Sequence, residues 1–273
     1  MSKTTSKGGS LGEALRSVFT VGAMIVAFAF SYFLYKVVFG NPLFFEGGNP
    51  DGHPLPGNYL AIIYKGGVIV PFLITLNLIL IIFAVERGIT LFRARGKGRI
   101  NVFVKNLQND LNNNKIEDAI VACDKQRGSL ANVMKAGLIR YRALQNDPTL
   151  EKDQKILALQ KEFEEASALE LPMLSRNLVI LSTIASISVL TGLMGTVIGM
   201  IKAFAALAQA GAPDALALAN GISEALINTA FGIFGSLMAI IFYNFFSTQI
   251  DSFTYKIDEA GFSLVQSFAA ATK

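Results

Sequence analysis

Four long apolar stretches limit what this chain can fold into more than any other feature of its sequence. Each has the roughly 20 residues that a helix needs to cross a hydrocarbon layer about 30 Å thick. A helix also satisfies its own backbone polar groups in lipid. The sequence therefore predicts an all-α, polytopic membrane helical bundle with four transmembrane helices. These run from about Val18 to Phe39, Gly66 to Phe92, Leu178 to Leu207 and Ile222 to Ser247.

Basic residues beside the spans predict their orientation, because Lys and Arg tend to stay on the cytoplasmic side. Lys3, Lys7 and Arg16 precede span one, and a second basic cluster follows span two. Both termini are therefore expected to be cytoplasmic, and the loop Asn41–Lys65 is expected outside. That loop is rich in Gly and Pro, which predicts turns rather than a folded domain. The basic residues after span two are Arg87, Arg93, Arg95, Lys97 and Arg99.

The part between spans two and three has mixed charge, with apolar residues at helical spacing. It predicts a cytoplasmic helical hairpin over residues 93–175. The helix from Glu151 to Leu171 is expected to continue into span three, with a kink at Pro172. The expected division is therefore an N-terminal extra span and loop (1–65), a membrane domain (66–248) and a cytoplasmic tail (249–273).

Spans three and four each carry a stripe of small residues on one helical face. Such stripes let helices approach closely in lipid, so packing alone explains the glycines. The stripe of span three contains Ser188, Gly192, Gly195, Thr196, Gly199 and Ala203. The stripe of span four contains Gly221, Glu224, Ala225, Asn228, Gly232, Gly235 and Ala239, with Thr229 and Ser236 at its edge.

Glu224 is the one carboxylate within these two spans, and an ionisable group there is costly unless it faces a partner or water. Two interpretations stay open: Glu224 serves a polar path, or it reaches the interface and is simply solvated. Thr196 and Thr229 offer hydroxyls to a proton path, although a helical threonine also bonds a carbonyl one turn back. Asn228 shares the face of Glu224.

Other features of the sequence narrow the class of function. Glu86 and Arg87 close span two, as a charge pair that either reaches the headgroups or caps neighbouring helices. His53 and Cys123, the only histidine and cysteine, stand alone, so we expect no metal site and no cofactor. The net charge of +4 comes from basic residues beside spans, which argues against a nucleic-acid partner. No phosphate loop or catalytic set is visible, so an enzyme is not expected.

Three motifs resemble one known family. Gly192-Leu-Met-Gly-Thr-Val-Ile-Gly-Met-Ile-Lys-Ala-Phe204, Gly221-Ile-Ser-Glu-Ala-Leu-Ile-Asn-Thr-Ala-Phe-Gly232 and Glu86-Arg87 are similar to motifs of the MotA/TolQ/ExbB proton channel family. The match favours the ExbB and TolQ branch and is closest to ExbB, the biopolymer transport protein of the TonB system. Span one is an addition to the usual three spans, and Asn228 stands where relatives often have a small apolar residue.

The resemblance implies a ring of five copies in the bacterial inner membrane. The ring would surround two copies of a single-span protein of the ExbD or TolR kind, whose membrane aspartate carries the proton. Thr196 and Thr229 would line the pore beside that aspartate, with Glu224 in its outer part and Asn228 adding a hydrogen bond. The partner would pass the work of the proton motive force to a TonB-like protein.

Two alternatives remain at this level. A TolQ-like role in envelope maintenance, or a gliding motor, fits the same ring sequence. In a different class, a non-conducting membrane scaffold would use the small-residue stripes for assembly only.

Overall fold

The structure is a computed structural model that describes Gly22 and residues 24–50, 52–113, 115–145, 147–208 and 214–271. Lys3, Lys7, Arg16 and the predicted start of span one at Val18 lie outside these residues. Apart from one isolated antiparallel bridge between Phe45 and Pro54, the regular elements of the described part are helical. They are α1 (Met24–Phe39), α2 (Tyr59–Tyr64), α3 (Val70–Ala94), α4 (Ile100–Asn112), α5 (Ile116–Gln126), α6 (Gly128–Gln145), α7 (Lys152–Ser175), α8 (Leu178–Leu207) and α9 (Ala215–Ala271), with short 3-10 turns in the loops.

In the described part of the chain, three helices are long and apolar enough to cross a membrane: Gly67–Ala94, Lys152–Leu207 and Ala215–Ala270. They confirm the prediction of a polytopic helical membrane protein, including the continuity of α7 with α8 through Pro172. Over its described residues α1 is apolar but shorter than these three. The first predicted span therefore stays a prediction.

One compact unit contains the described residues up to Phe83 together with Ile180–Ile241. In it, Tyr35 of α1 stacks on Tyr64 of α2 with ring centroids 4.7 Å apart, and the Tyr35 hydroxyl donates to the Tyr64 carbonyl. The loop before α3 consists largely of turns, as expected. It also contains the short helix α2, which begins there because the Asn58 side chain accepts from the amides of Leu60 and Ala61.

The second unit contains Ala84–Val179 and the chain from Phe242 onward. The predicted helical region between spans two and three has four helices here, α4 to α7, more than the two of a hairpin. Positive φ angles at Arg127 (57°) and Gly128 (84°) separate α5 from α6. No proline marks this break in the sequence. Tyr141 of α6 packs edge-on against Phe268 of α9 in the core of this unit.

Candidate functional site

Helices α8 and α9 pack backbone against backbone along their small-residue stripes. A Cβ atom added to Gly232 would lie 2.8 Å from the Cα of Gly192, and one added to Gly199 would lie 2.6 Å from the carbonyl oxygen of Gly221. Real side chains do not fit at these distances. Gly192 meets Gly232, and Gly199, later in α8, meets Gly221, which is earlier in α9. The two helices are therefore antiparallel.

Asn228 fills the space beside another glycine of this contact. An added Cβ on Gly195 would meet the Asn228 side chain, 2.6 Å from its Cγ. The Asn228 amide donates to the carbonyl of Gly66 at 2.8 Å, and the residue is fully buried. Its Oδ1 atom accepts no hydrogen bond from the described residues. Asn228 therefore ties α9 to the segment that precedes α3.

Gly235 stands at a second polar contact of the same unit. A Cβ added there would collide with the Ser188 hydroxyl and lie 3.0 Å from the Asn77 amide nitrogen. Asn77 donates back to the carbonyl of Leu73, one turn earlier in α3. Gly235 thus leaves room for two polar side chains, one from α3 and one from α8.

Thr196 and Thr229 bring their hydroxyls into direct hydrogen-bond contact across the two helices. Both hydroxyls also lie near the carbonyl of Ala225, at 3.3 Å for Thr196 and 3.1 Å for Thr229. A hydroxyl donates one hydrogen bond and accepts others, so either threonine can be the donor of the pair. The two residues are half-buried.

Glu224 is buried, with 6% of its surface exposed, and it is paired. The Lys202 ammonium donates to both carboxylate oxygens at 2.8 Å each. The Lys202 side chain is 51% exposed, so the pair has one buried and one accessible member. Gly67 lies against the carboxylate with a φ of +73°, and an added Cβ would collide with it. Of the two sequence interpretations, the solvated carboxylate does not fit this geometry.

Lys202 is the residue that the sequence interpretation missed. It interrupts an apolar run in span three, as Glu224 does in span four. Gly199 packs against Ala225 and Gly221 packs against Ala203, so Lys202 and Glu224 lie within one turn of each other across the antiparallel contact. Glu224 precedes Thr229 by five residues, about 7.5 Å along the helix axis. The ion pair and the hydroxyl pair are therefore neighbours along α8 and α9.

Glu86 and Arg87 lie in the other unit and form a charge pair there. The Arg87 guanidinium donates to Glu86 and, at 3.0 Å, to the carbonyl of Leu174 in the last turn of α7. Asn177 also donates to Glu86 at 3.1 Å. Arg87 is only 3% exposed. Of the two roles left open, this geometry corresponds to capping a neighbouring helix.

Among the residues that the structure describes, no three His, Cys, Asp or Glu side chains converge as metal ligands would. Cys123 is buried in the unit that contains α5. Burial raises the pKa of its thiol to about 12. Such a thiol is almost fully protonated near neutral pH and is therefore a poor nucleophile.

The fold and this site define a polytopic membrane protein built on two tightly packed apolar helices with a small polar cluster between them. Within that class, residues 126–259 match the model of the MotA/TolQ/ExbB proton channel family. This match confirms the resemblance predicted from the motifs, for close to half of the chain. The matched range contains Thr196, Lys202, Glu224 and Thr229.

Individual relatives agree with that family. The Tol-Pal system protein TolQ of Pseudomonas aeruginosa is 33% identical over 117 residues, 43% of this chain and 51% of that protein. The biopolymer transport protein ExbB of Salmonella typhimurium is 41% identical over 73 residues, 27% of this chain and 30% of that protein. TolQ of Haemophilus influenzae is 40% identical over 83 residues, 30% of this chain and 36% of that protein. The chain thus spans about half, or less, of the length of these relatives.

Proposed function

We propose that this chain is the ring subunit of a proton channel in the bacterial inner membrane. With a single-span, ExbD-like partner it would couple the proton motive force to TonB-dependent transport across the outer membrane. The observation that carries the proposal is the hydroxyl contact between Thr196 and Thr229. Two threonines that bond each other across apolar helices, within one and a half turns of a buried carboxylate, provide a short polar path where packing requires none.

The ion pair between Lys202 and Glu224 places one compensated negative charge beside this path. Glu224 is held by Lys202, so its negative charge is compensated inside the protein. A carboxylate brought by a partner helix beside the threonines would have no such cation and would need a proton to enter a medium of low dielectric constant. Each elementary charge that crosses the field gains about 2.3 kcal/mol per 100 mV. The membrane potential can therefore drive repeated loading and release of that proton.

The assembly is also part of the proposal. Helix α8 exposes an apolar row, and α9 exposes another. We propose that further copies of this chain, five in all by likeness to the family, cover these rows together with two ExbD-like helices and lipid. Both termini would lie in the cytoplasm. The row of α8 includes Leu193, Val197, Ile201 and Phe204, and that of α9 includes Leu226, Ile233, Leu237 and Ile241.

The first experiment asks which partner is present. The tagged chain is purified from native membranes in mild detergent, and co-purifying proteins are identified by mass spectrometry. We expect a small single-span protein with an aspartate in its span. Its own associates distinguish a TonB-like role from a Tol-like role or gliding. If no such protein is found, the non-conducting scaffold becomes the better explanation.

The second experiment tests conduction by the purified complex in proteoliposomes containing a pH-sensitive dye. Thr196→Val and Thr229→Val preserve volume and remove a positioned proton carrier, so we expect flux to fall about tenfold or more. Thr191→Val is the matched control, because among the described residues the Thr191 hydroxyl bonds the carbonyl of Ile187 in its own helix. Unchanged flux in both test variants, with normal assembly, would contradict the proton path.

A further inference from the structure

A basic cleft lies where α3 ends, α4 begins and the later part of α9 passes, all within one compact unit. Its volume is about 500 Å³. Three cationic side chains line it, and none of the described residues that line it is acidic. The basic cleft is defined by Arg95, Arg99 and Lys256, with the polar side chains of Asn101, Gln249 and Ser252.

The cations of the basic cleft are not neutralised by the protein. In the part of the chain that the structure describes, none of the three forms an ion pair with a carboxylate. Arg95 donates to the neutral side chain of Gln249. Arg99 is the N-cap of α4 and makes no side-chain capping bond, so the positive end of that 13-residue helix adds to the field. A cleft of this kind attracts an anion.

The position of the cleft along the chain indicates which anion it receives. Arg95 directly follows Ala94, the last residue of the membrane-spanning helix Gly67–Ala94. The cleft therefore begins at the level where a bilayer presents its phosphates. Val102 adds an apolar wall and is 52% exposed. The cleft thus combines cations, hydroxyl and amide donors, and an apolar wall at the end of a span. This combination matches a phospholipid, whose phosphate is joined to acyl chains.

We propose that the basic cleft binds the phosphate of an anionic phospholipid headgroup. Its guanidinium groups form charge-assisted hydrogen bonds to phosphate oxygens. Asn101, Gln249 and Ser252 bond the headgroup alcohol. This site is independent of proton passage, because no residue of the hydroxyl pair or the Lys202–Glu224 pair belongs to it.

The test uses the full chain in detergent, titrated with phosphatidylglycerol or phosphatidylcholine and measured by native mass spectrometry. The variant carries Arg95→Gln, Arg99→Gln and Lys256→Gln. Its matched control carries Arg93→Gln, Lys97→Gln and Lys105→Gln, which remove the same charge from exposed positions outside the cleft. A charge-assisted hydrogen bond from a cleft cation to a phosphate oxygen strengthens binding about tenfold or more, a contribution that an exposed cation outside the cleft does not make.

We expect wild type to retain phosphatidylglycerol over phosphatidylcholine, the variant to lose at least about tenfold in affinity, and the control to lose far less. Equal losses in variant and control would overturn the proposal, because non-specific attraction would then explain the binding. A second measurement addresses the source of the phosphate. Full displacement of the lipid by millimolar inorganic phosphate or glycerol phosphate would overturn the lipid assignment in favour of a soluble ligand. A single Lys256→Gln variant covers the case in which the triple variant does not fold.

Discussion

Lys202 donates to both carboxylate oxygens of Glu224, at 2.8 Å each, across the antiparallel contact of α8 and α9. The carboxylate is buried while the lysine reaches the surface. Removing the lysine therefore leaves an uncompensated charge inside the protein, whereas removing both charges does not. Comparing the single and double variants therefore measures how much the pair contributes to stability, apart from any role in transport.

The ion pair is tested first by stability. Lys202→Met should lower the free energy of unfolding by about 1–3 kcal/mol, since a buried carboxylate loses its partner. The double variant Lys202→Met and Glu224→Gln should recover most of that loss. Thermal unfolding in detergent, followed by circular dichroism, measures both. Lys161→Met is the control, because its lysine is 74% exposed and only loosely paired. Equal losses in the single and double variants would contradict the pairing.

The close contact of α8 and α9 predicts opposite effects at two glycines. At Gly232 an added methyl meets backbone atoms of Gly192 and Ser188 at 2.8 Å, so Gly232→Ala should destabilise the protein by about 1–3 kcal/mol. At Gly88 of α3 nothing lies within 4 Å of the added atom. There, Gly88→Ala should be neutral or stabilise by about 0.5–1 kcal/mol, because alanine favours a helix. Melting temperatures of the two variants would check this, and a loss at both positions would argue against close packing as the cause.

Arg87 bonds the carbonyl of Leu174 in the last turn of α7. Arg87→Met should therefore destabilise the protein by about 2–4 kcal/mol, because a charge-assisted hydrogen bond is lost and Glu86 loses its partner. Arg87→Lys should recover only part, since one ammonium does not reproduce the planar fork of a guanidinium. Denaturation in detergent measures the free energy of unfolding of the wild type and the two variants, which should decrease in the order wild type, Arg87→Lys, Arg87→Met. Arg93→Met, at an exposed position, is the control. An equal loss of stability in that variant would contradict a specific stabilising role of Arg87.

Burial raises the pKa of the Cys123 thiol to about 12, from an ordinary value of 9.0. At pH 8 the folded protein should then contain about a thousandfold less thiolate than the unfolded chain, and alkylation by a maleimide should be slower by a similar factor. A group whose folded pKa is raised stabilises the fold below its unfolded pKa, and this stability is lost as pH rises from about 9 toward 12. Cys123→Ala should flatten the alkaline loss of stability. Rapid labelling of the folded protein would show that the thiol is accessible.

The sequence by itself was sufficient for the membrane class, the helical bundle and the two packed stripes. Long apolar runs have few options in lipid, and glycine at helical spacing has a direct steric meaning. The continuity of α7 with α8 past Pro172 was also predicted, since a proline can kink a helix without ending it.

Other features were decided by tertiary structure. The break between α5 and α6 depends on a positive φ angle at Arg127 as well as at Gly128, and a residue other than glycine rarely adopts that conformation. Lys202 becomes the partner of Glu224 only when the register of α8 against α9 is known, because a one-turn shift would bring other residues opposite it. Arg87 reaches Leu174 across 87 positions of sequence. Composition and periodicity determine which faces are buried, but only folding in three dimensions selects which polar groups meet within them.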